Sequence, residues 1–285
     1  MSLHNVVYLQ HIEFQTRVYR NIIPDANLLE GREALLGCHA EKQWVDLWHL
    51  PLVEESPIEQ ALLELRASEV IRANKIRAPE ARSHFIQDHA WRNRIMNLYG
   101  NAKAKYTLRC SRLGKDLLFG EQAPSVSFSR TGSRAVVAVS NLARIGVDIE
   151  ERGESAQWYS IAEIVDAKDW PAACSSNNDR AGWICRQFVI KEALLKGIGV
   201  GLQFPLHAIK LGFSAEGTAV YKKTTGRTQA RPTNWHVISE MEHSYSLALA
   251  IKAGQTPQAL AVSQYHCAPL DASRILRKDE TVFFL

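Results

Sequence analysis

A short run of alternating side chains at residues 145–150 constrains the fold of this chain more than any other segment. Successive side chains of a β-strand point to opposite faces, so a strand here would place Asp148 and Glu150 on one face. Their apolar neighbours would then fill a core on the other face. Such a strand would pack its apolar face against the protein interior, and its acidic face could meet a second element.

The second element is predicted at residues 179–196, which have the spacing of a helix. Glu192 and Lys196 lie one turn apart on such a helix and share a face. If the helix packs on the strand, three carboxylates and one ammonium group converge. Carboxylate oxygens suit Mg²⁺ together with a phosphate-bearing substrate, so the two segments together indicate phosphoryl chemistry.

Each segment also has an ordinary structural explanation. Asp148 and Glu150 could lie on the exposed face of a strand, and Glu192 and Lys196 could form a surface pair on a helix of good helix formers. The choice between the two interpretations depends on the neighbouring motifs.

Composition limits the class of protein. The chain has 285 residues, 46% hydrophobic and 22% charged, which is typical of a globular protein with one large core or two smaller ones. Its net charge of +4 favours acidic partners, but the concentrated basic runs of a nucleic-acid binder are missing. No histidine motif for zinc and no apolar run long enough for a membrane span occurs in the sequence.

Five scattered cysteines without a Cys-x-x-Cys pair indicate reduced thiols. The first twenty residues lack the pattern of a signal peptide. We therefore expect a cytoplasmic protein that binds neither membrane nor nucleic acid.

Periodicity predicts an α+β fold. Helices are predicted over residues 56–77, 79–99 and 179–196, the last ending at Gly197. Strands are predicted over 107–112, 125–128, 135–140, 145–150, 208–213, 218–222, 236–241 and 246–251. The order of these elements suggests two α+β halves that meet near residue 143. From residue 254 the sequence is poorly periodic, and its apolar end gives no indication of where it docks.

Several short motifs occur in the order found in one enzyme family. They are the turn at residues 129–132, the Gly-Val-Asp-Ile-Glu run at 146–150, and the segment 188–202 with its Lys-Gly-x-Gly-x-Gly-Leu ending. In order and spacing the chain resembles the Sfp-type 4′-phosphopantetheinyl transferases. The resemblance is specific over residues 105–213, weaker over 68–95, and does not cover the first fifty residues or the last segment.

The resemblance implies a fold of two similar α/β lobes related by a pseudo-twofold axis, with the site in the cleft between them. The N-terminal lobe would comprise residues 1–143 and the C-terminal lobe residues 144–253, followed by an extension at 254–285. Such an enzyme moves 4′-phosphopantetheine from coenzyme A to a serine of an acyl or peptidyl carrier protein, releases 3′,5′-ADP and uses Mg²⁺. The family also implies an acidic carrier as partner, and we expect a monomer because one chain supplies both halves of the site.

The resemblance also implies roles for individual residues. Asp148, Glu150 and Glu192 would hold the metal, Glu192 could also deprotonate the carrier serine, and Lys196 would neutralise the leaving phosphate. The positions that match coenzyme A contacts of the family are Arg72, Lys75, Arg82, Lys115, Ser129, Arg130, Thr131 and Lys191.

Some of these positions have alternative explanations. Arg130 stands where the family commonly has a histidine on the 3′-phosphate, and it could instead be a solvated turn residue. The basic residues of the helical stretch could belong to a solvated face, and Lys191 could form a salt bridge.

Three acidic residues need separate treatment. Asp116 follows Lys115 where the family has proline, so the geometry of that turn is open. Asp169 stands where the family often has a glutamate and could act as base or ligand through a water. Asp88 is expected to form an ion pair within its helix or between lobes.

Two other functions stay open at this point. The carboxylates could serve another Mg²⁺-dependent phosphoryl enzyme such as a phosphodiesterase, although ligands for a second metal are not suitably spaced. The chain could also be a carrier-protein or coenzyme A binding module without catalysis, although such a module has no need of three repelling carboxylates. The pathway that the carrier serves cannot be read from the sequence.

Overall fold

The computed structural model describes residues 43–53, 58–100, 106–164, 177–200, 204–213, 219–222, 235–252, 259–267 and 275–284. The first part of the chain forms β1 (Gln43–Pro51), α1 (Ile58–Leu63), α2 (Ala67–Lys75), α3 (Pro79–Tyr99), β2 (Thr107–Cys110), β3 (Asp116–Phe119), β4 (Ser125–Thr131) and β5 (Arg134–Ser140). The second part forms β6 (Ile145–Glu151), α4 (Ser155–Tyr159), α5 (Asn177–Ile198), β7 (Lys210–Phe213), β8 (Ala219–Lys222), β9 (Trp235–Met241), β10 (Tyr245–Lys252), β11 (Ala259–Cys267) and β12 (Ile275–Phe284). Short 3₁₀ turns occur at Ala162–Ile164 and Leu206–Ala208.

Ten of these strands form two five-stranded sheets. The first sheet has the order β12-β11-β1-β5-β4, and the second has the order β6-β10-β9-β8-β7. The neighbouring strands of the second sheet are antiparallel. In the first sheet β1 pairs in parallel with β11 and antiparallel with β5. Strands β2 and β3 form a separate hairpin. The mixed α+β class expected from the sequence is confirmed.

The described residues after 254, which the sequence left without a place, belong to the first sheet. Strand β11 lies against β1, with Gln43 opposite Leu260 and His49 opposite His266, and β12 continues the sheet outward. The pairing makes β1 a central strand, because β5 lies on its other side. Strands from both ends of the described chain therefore build one sheet.

The two sheets and the two longest helices stack in four layers. Alternate side chains of β1 and β5, among them Trp48 and Val137, pack with Phe85 and Trp91 of α3. The opposite faces of β1 and β5 pack against Val147 and Ile149 of β6 and against β10, in a core between the sheets. The outer face of the second sheet packs against α5 through residues such as Ala193 and Ala248.

Helix prediction from the sequence succeeds for α3 and α5, with one change at a helix end. Helix α3 begins with Pro79, whose fixed φ and missing N–H suit the first turn. Helix α5 does not end at Gly197 but continues to Ile198, and Gly199 adopts the left-handed conformation with φ of 87°. The single helix predicted over residues 56–77 is instead divided into α1 and α2, and its predicted start at residues 56 and 57 lies outside the described residues. None of the described helices combines the length and apolar character needed to cross a membrane.

Candidate active site

The acidic face of β6 is directed towards α5, as the alternation of its side chains predicts. Val147 and Ile149 lie in the core between the sheets, whereas Asp148 is directed to the other face and is 2% exposed. Glu192 of α5 is also buried, and Glu150 is half-buried. The strand and the helix therefore bring the three predicted carboxylates to one region.

Two glycines allow the helix to approach the strand closely. A Cβ atom on Gly146 would lie 2.0 Å from the backbone oxygen of Ala193 and 2.3 Å from the backbone nitrogen of Gly197. A Cβ atom on Gly197 would lie 2.6 Å from the ring of Trp235. Real side chains essentially never come this close, so only glycine permits this packing. The glycine positions thus fix the depth at which Glu192 sits beside β6.

Lys196 forms an ion pair with Asp148 across the site. Its Nζ atom donates to Asp148 Oδ1 at 2.7 Å, to Ser129 Oγ at 2.8 Å and to the backbone oxygen of Phe128 at 3.3 Å. Lys196 does not form the alternative surface pair with Glu192 on the helix, because its ammonium group reaches across to β6 and β4. Lys196 therefore links the helix to both sheets.

Burial and mutual repulsion govern the acidity of the three carboxyl groups. Burial and, next in size, the charge of Asp148 raise the pKa of Glu150 to about 7. The same two causes, in the same order, raise the pKa of Glu192 to about 7. Burial also raises the pKa of Asp148, although Lys196 and Ser129 oppose that shift. A cation among these groups would relieve the repulsion.

The three carboxylates fit a divalent cation in chemistry but are not arranged around one point. In the part of the chain that the structure describes, no three His, Cys, Asp or Glu side chains are placed so that they could hold a metal ion. However, Asp148 Oδ2 and Glu192 Oε1 are buried oxygens with no hydrogen-bond partner. Such orphaned acceptors are costly in a protein interior and are typical of a place where a ligand or ion binds. Oxygen donors of this kind suit Mg²⁺.

The strand conformation of β4 separates three residues that were predicted to contact coenzyme A together. Ser129 Oγ donates to Asp148 Oδ1 at 2.7 Å, and Thr131 Oγ1 donates to Glu150 Oε2 at 3.0 Å. Arg130 lies between them in sequence, so its side chain leaves the opposite face of the strand, where it is exposed. The two hydroxyls are therefore directed to the carboxylates, and Arg130 alone is available to a phosphate on the other face.

The other predicted phosphate contacts lie on α2 and at the start of α3. Arg72 and Lys75 are exposed, and the guanidinium of Arg72 lies 5.2 Å from the centre of the Phe85 ring. Arg82 donates to Asn74 Oδ1 at 3.1 Å. Lys191 is buried and donates to the backbone oxygen of Ile164. Their roles towards coenzyme A stay predictions.

Lys115 occupies a position that the sequence did not indicate. Its Nζ atom donates to three backbone oxygens, those of Lys196 at 2.7 Å, Gly197 at 3.0 Å and Ile145 at 3.1 Å. Three donors with three acceptors leave no hydrogen free for a ligand. Burial and the charge of Arg144 lower the pKa of Lys115 to about 8. In this structure Lys115 ties the β2–β3 hairpin to the end of α5, and its predicted contact near the adenine stays a prediction.

The remaining acidic residues behave as follows. Asp88 forms a two-pronged ion pair with Arg92 one turn along α3, at 2.9 and 2.7 Å, as predicted. Asp116 lies 3.7 Å from the same guanidinium. Asp169 lies outside the described residues. Arg92, which the sequence analysis did not single out, also covers the Phe128 ring at 4.6 Å and so joins α3, β3 and β4.

Comparison with known proteins gives a family for this region. A sequence profile described as the 4′-phosphopantetheinyl transferase superfamily matches residues 144–250. The chain is 29% identical over 116 residues to a holo-[acyl-carrier-protein] synthase of Azoarcus sp. (strain BH72), over 39% of this chain and 89% of that protein. It is 30% identical over 156 residues to an L-aminoadipate-semialdehyde dehydrogenase-phosphopantetheinyl transferase of Xenopus laevis, over 48% of this chain and 51% of that protein.

The matched residues begin just before β6 and end within β10, so they contain Asp148, Glu150, Glu192 and Lys196. The alignment with the Xenopus protein spans about half of that protein's length. Residues 144–250 of this chain are therefore similar to the 4′-phosphopantetheinyl transferase superfamily.

Proposed function

We propose that this protein is an Sfp-type enzyme that transfers 4′-phosphopantetheine from coenzyme A to a serine of an acidic acyl or peptidyl carrier protein. One observation carries the proposal. Asp148, Glu150 and Glu192 share a largely buried region in the matched part of the chain, and two of their oxygens have no partner. Repulsion between these carboxylates destabilises the fold, and a cation site would explain why they are held together.

The chain's own residues have separate tasks in this proposal. Asp148, Glu150 and Glu192 would hold Mg²⁺, which, when bound, draws charge from the pyrophosphate of coenzyme A. Glu192 accepts the proton of the carrier serine as the general base. The serine oxygen bonds to the phosphorus that carries the pantetheine, and the bond to 3′,5′-ADP breaks. Lys196, which donates a hydrogen bond to Asp148, would supply positive charge to the leaving group.

Coenzyme A would bind in the cleft between the two lobes of the family's pseudo-twofold arrangement. Arg130 is our candidate for the 3′-phosphate, since its guanidinium is exposed and can bind phosphate with two donors. Arg72, Lys75 and Arg82 would supply further positive charge. The lobes would meet near residue 143. Strands β11 and β12, which follow the second lobe in sequence, pair within the first sheet. The proposal also includes a monomeric, cytoplasmic enzyme.

Mass spectrometry of carrier proteins tests the transfer. The purified chain is incubated with coenzyme A, Mg²⁺ and a panel of apo acyl and peptidyl carriers, and at least one carrier should gain the mass of one phosphopantetheine group. The gain should disappear with EDTA, with a carrier whose modified serine is alanine, and with Glu192→Gln. A panel without any modified carrier, under conditions in which an established transferase modifies the same carriers, would contradict the proposal and favour a binding module.

A further inference from the structure

Hydroxyl groups of β4 join the edge strands of the two sheets. Ser127, Ser129 and Thr131 alternate along β4, so they leave the strand on one face. Ser127 Oγ accepts the backbone N–H of Val147 at 2.9 Å, and Thr131 Oγ1 accepts the backbone N–H of Glu151 at 3.1 Å. Strand β4 is the edge of the first sheet and β6 the edge of the second. Side-chain hydroxyls thus serve here as acceptors for the backbone of β6.

The hydroxyl groups of Ser129 and Thr131 donate their hydrogens to carboxylates. A hydroxyl group has one hydrogen to donate and can accept two hydrogen bonds. Thr131 accepts from the backbone of Glu151, and its hydrogen is then donated to Glu150 Oε2 at 3.0 Å. Ser129 accepts from the ammonium of Lys196, and its hydrogen is donated to Asp148 Oδ1 at 2.7 Å. Each bond restrains the direction of one carboxylate.

The restrained carboxylates keep an oxygen for a ligand. Ser129 and Lys196 both bind Oδ1 of Asp148, while Oδ2 is buried and has no hydrogen-bond partner. In metal sites, outer groups that hold the ligands in place typically contribute ten- to a hundredfold to metal affinity. The sequence had indicated Ser129 and Thr131 as contacts of coenzyme A, but both hydroxyls are engaged elsewhere.

We propose that Thr131 and Ser129 are positioning residues that orient Glu150 and Asp148 for a divalent cation, and that they are not contacts of coenzyme A. The inference rests on the proposed function in taking the cation as that of the transfer site. Thr131 is the better residue to test, because Ser129 also contacts Lys196 and its loss would disturb the ion pair.

Three variants separate two roles of the β4 hydroxyls: positioning a carboxylate and supporting the contact between β4 and β6. Thr131→Val keeps the shape of the side chain and removes the hydroxyl group, whereas Thr131→Ser keeps the hydroxyl. Ser127→Ala is the matched control, since it removes a hydroxyl that binds the backbone of β6 and contacts no carboxylate. Circular dichroism and thermal melts establish that each full-length variant is folded.

Binding of Mn²⁺, used as a paramagnetic probe of the metal site, is measured by electron paramagnetic resonance without coenzyme A. Thr131→Val should bind Mn²⁺ about tenfold more weakly, while Thr131→Ser and Ser127→Ala should stay within about twofold of the unchanged protein. Coenzyme A binding by calorimetry should be the same in all four proteins when Mn²⁺ is saturating.

Three results would overturn the inference. They are an unchanged Mn²⁺ affinity in Thr131→Val, a loss of coenzyme A affinity in that variant with Mn²⁺ binding intact, and an equal loss of Mn²⁺ affinity in Ser127→Ala. None of these measurements uses catalytic turnover. A chain that bound Mn²⁺ as expected but modified no carrier would therefore contradict the proposed function and leave the positioning role intact.

Discussion

Lys196 neutralises a carboxylate that has almost no access to water. The side chain of Asp148 is 3% exposed, and that of Lys196 is 29% exposed. Removing one partner of a buried ion pair leaves an uncompensated charge, which is far more costly than removing both. The pair therefore matters for stability as well as for the chemistry proposed for the site.

Lys196→Met should lower the free energy of unfolding by about 3 kcal/mol, the low end of the range for broken buried pairs, since Lys196 is partly exposed. The double variant Lys196→Met with Asp148→Asn should recover part of that loss. Lys75→Met, an exposed lysine of α2, serves as control and should change stability by less than about 0.5 kcal/mol. Urea denaturation measures all three. An Lys196→Met variant as stable as the control would exclude a structural role for the ion pair.

The acidity of Glu150 and Glu192 predicts how the proposed metal binding would depend on pH. Their pKa values are raised from 4.5 to about 7 in the folded protein, so the folded state keeps protons that the unfolded state has lost. The contribution of these protonated carboxyl groups to folding stability is fully present below pH 4.5 and is lost as the pH rises through 7. The ionised carboxylates that the cation needs form over that same upper range.

Mg²⁺ should therefore raise the melting temperature clearly at pH 8 and hardly at pH 5.5. A group with a pKa of 7 is about 90% ionised at pH 8 and about 3% ionised at pH 5.5. Melts with and without Mg²⁺ at both pH values measure the difference, and Glu150→Gln should reduce it. A shift of equal size at both pH values would show that these carboxyl groups do not bind the ion.

For individual residues, the sequence predicts which side chains share a face of an element but not which atoms form hydrogen bonds or ion pairs. Alternation correctly places Asp148 and Glu150 on the side of β6 away from Val147. The partner of Lys196 could not be predicted, because Asp148 is 48 residues away in sequence and the spacing within the helix favours Glu192. The bonds from Ser129 and Thr131 depend on two sheet edges meeting, which no local pattern records.

Among the secondary-structure elements, α5 and β6 depend most closely on one another. Gly146 lies under the backbone of α5, and an added Cβ atom would meet main-chain atoms that cannot move aside individually. The helix would have to shift as a unit, and Glu192 and Lys196 would move with it. Close packing of this kind responds poorly to added volume.

Gly146→Ala should destabilise the protein by about 1–3 kcal/mol, as overpacking of a core does. Carrier modification should fall by at least about tenfold, since small displacements of reacting groups have large effects on rate. The matched control is Gly182→Ala on α5, where the nearest atoms are the flexible end of Arg152. Thermal melts and the carrier assay compare the two. Equal behaviour of both variants would mean that the close approach has no special importance.

Elements with one buried face or a clear period were predicted, and others were missed for physical reasons. Strand β1 was missed because β5 and β11 flank it and both its faces are largely buried, so apolar residues do not alternate with polar ones. It even buries Asp46, which accepts a hydrogen bond from Tyr99 at 2.5 Å. Strand β3 reads Asp-Leu-Leu-Phe, in which apolar and polar residues do not alternate.

For the molecule as a whole, the four layers depend on strands that are far apart in sequence. Tyr265 of β11 stacks on Trp48 of β1 with ring centres 4.3 Å apart, and both residues are buried in the core under α3. The long-range pairing of β1 with β11 was not predicted, because the sequence after residue 254 shows no period and parallel pairing leaves no turn between the strands. The sequence did predict the class and the order of the central elements.

A chain shortened to end at Lys252 should aggregate, because it exposes the edge of β1 and the face of Trp48. A chain shortened to end at Cys267 keeps β11 on β1 and should remain soluble with reduced stability. Size-exclusion chromatography and melts distinguish the two. A soluble, monodisperse protein ending at Lys252 with the melting temperature of the full chain would show that β11 adds nothing to the first sheet.

The pairing of β1 with β11 also has a consequence for synthesis of the protein. His49 and Gln264, whose side chains are 2.8 Å apart across these strands, are separated by 215 residues of chain. At typical translation rates, β1 leaves the ribosome about ten to forty seconds before its parallel neighbour exists. Throughout that interval one edge of a hydrophobic strand lacks its β11 partner, and an unpaired edge of this kind favours aggregation.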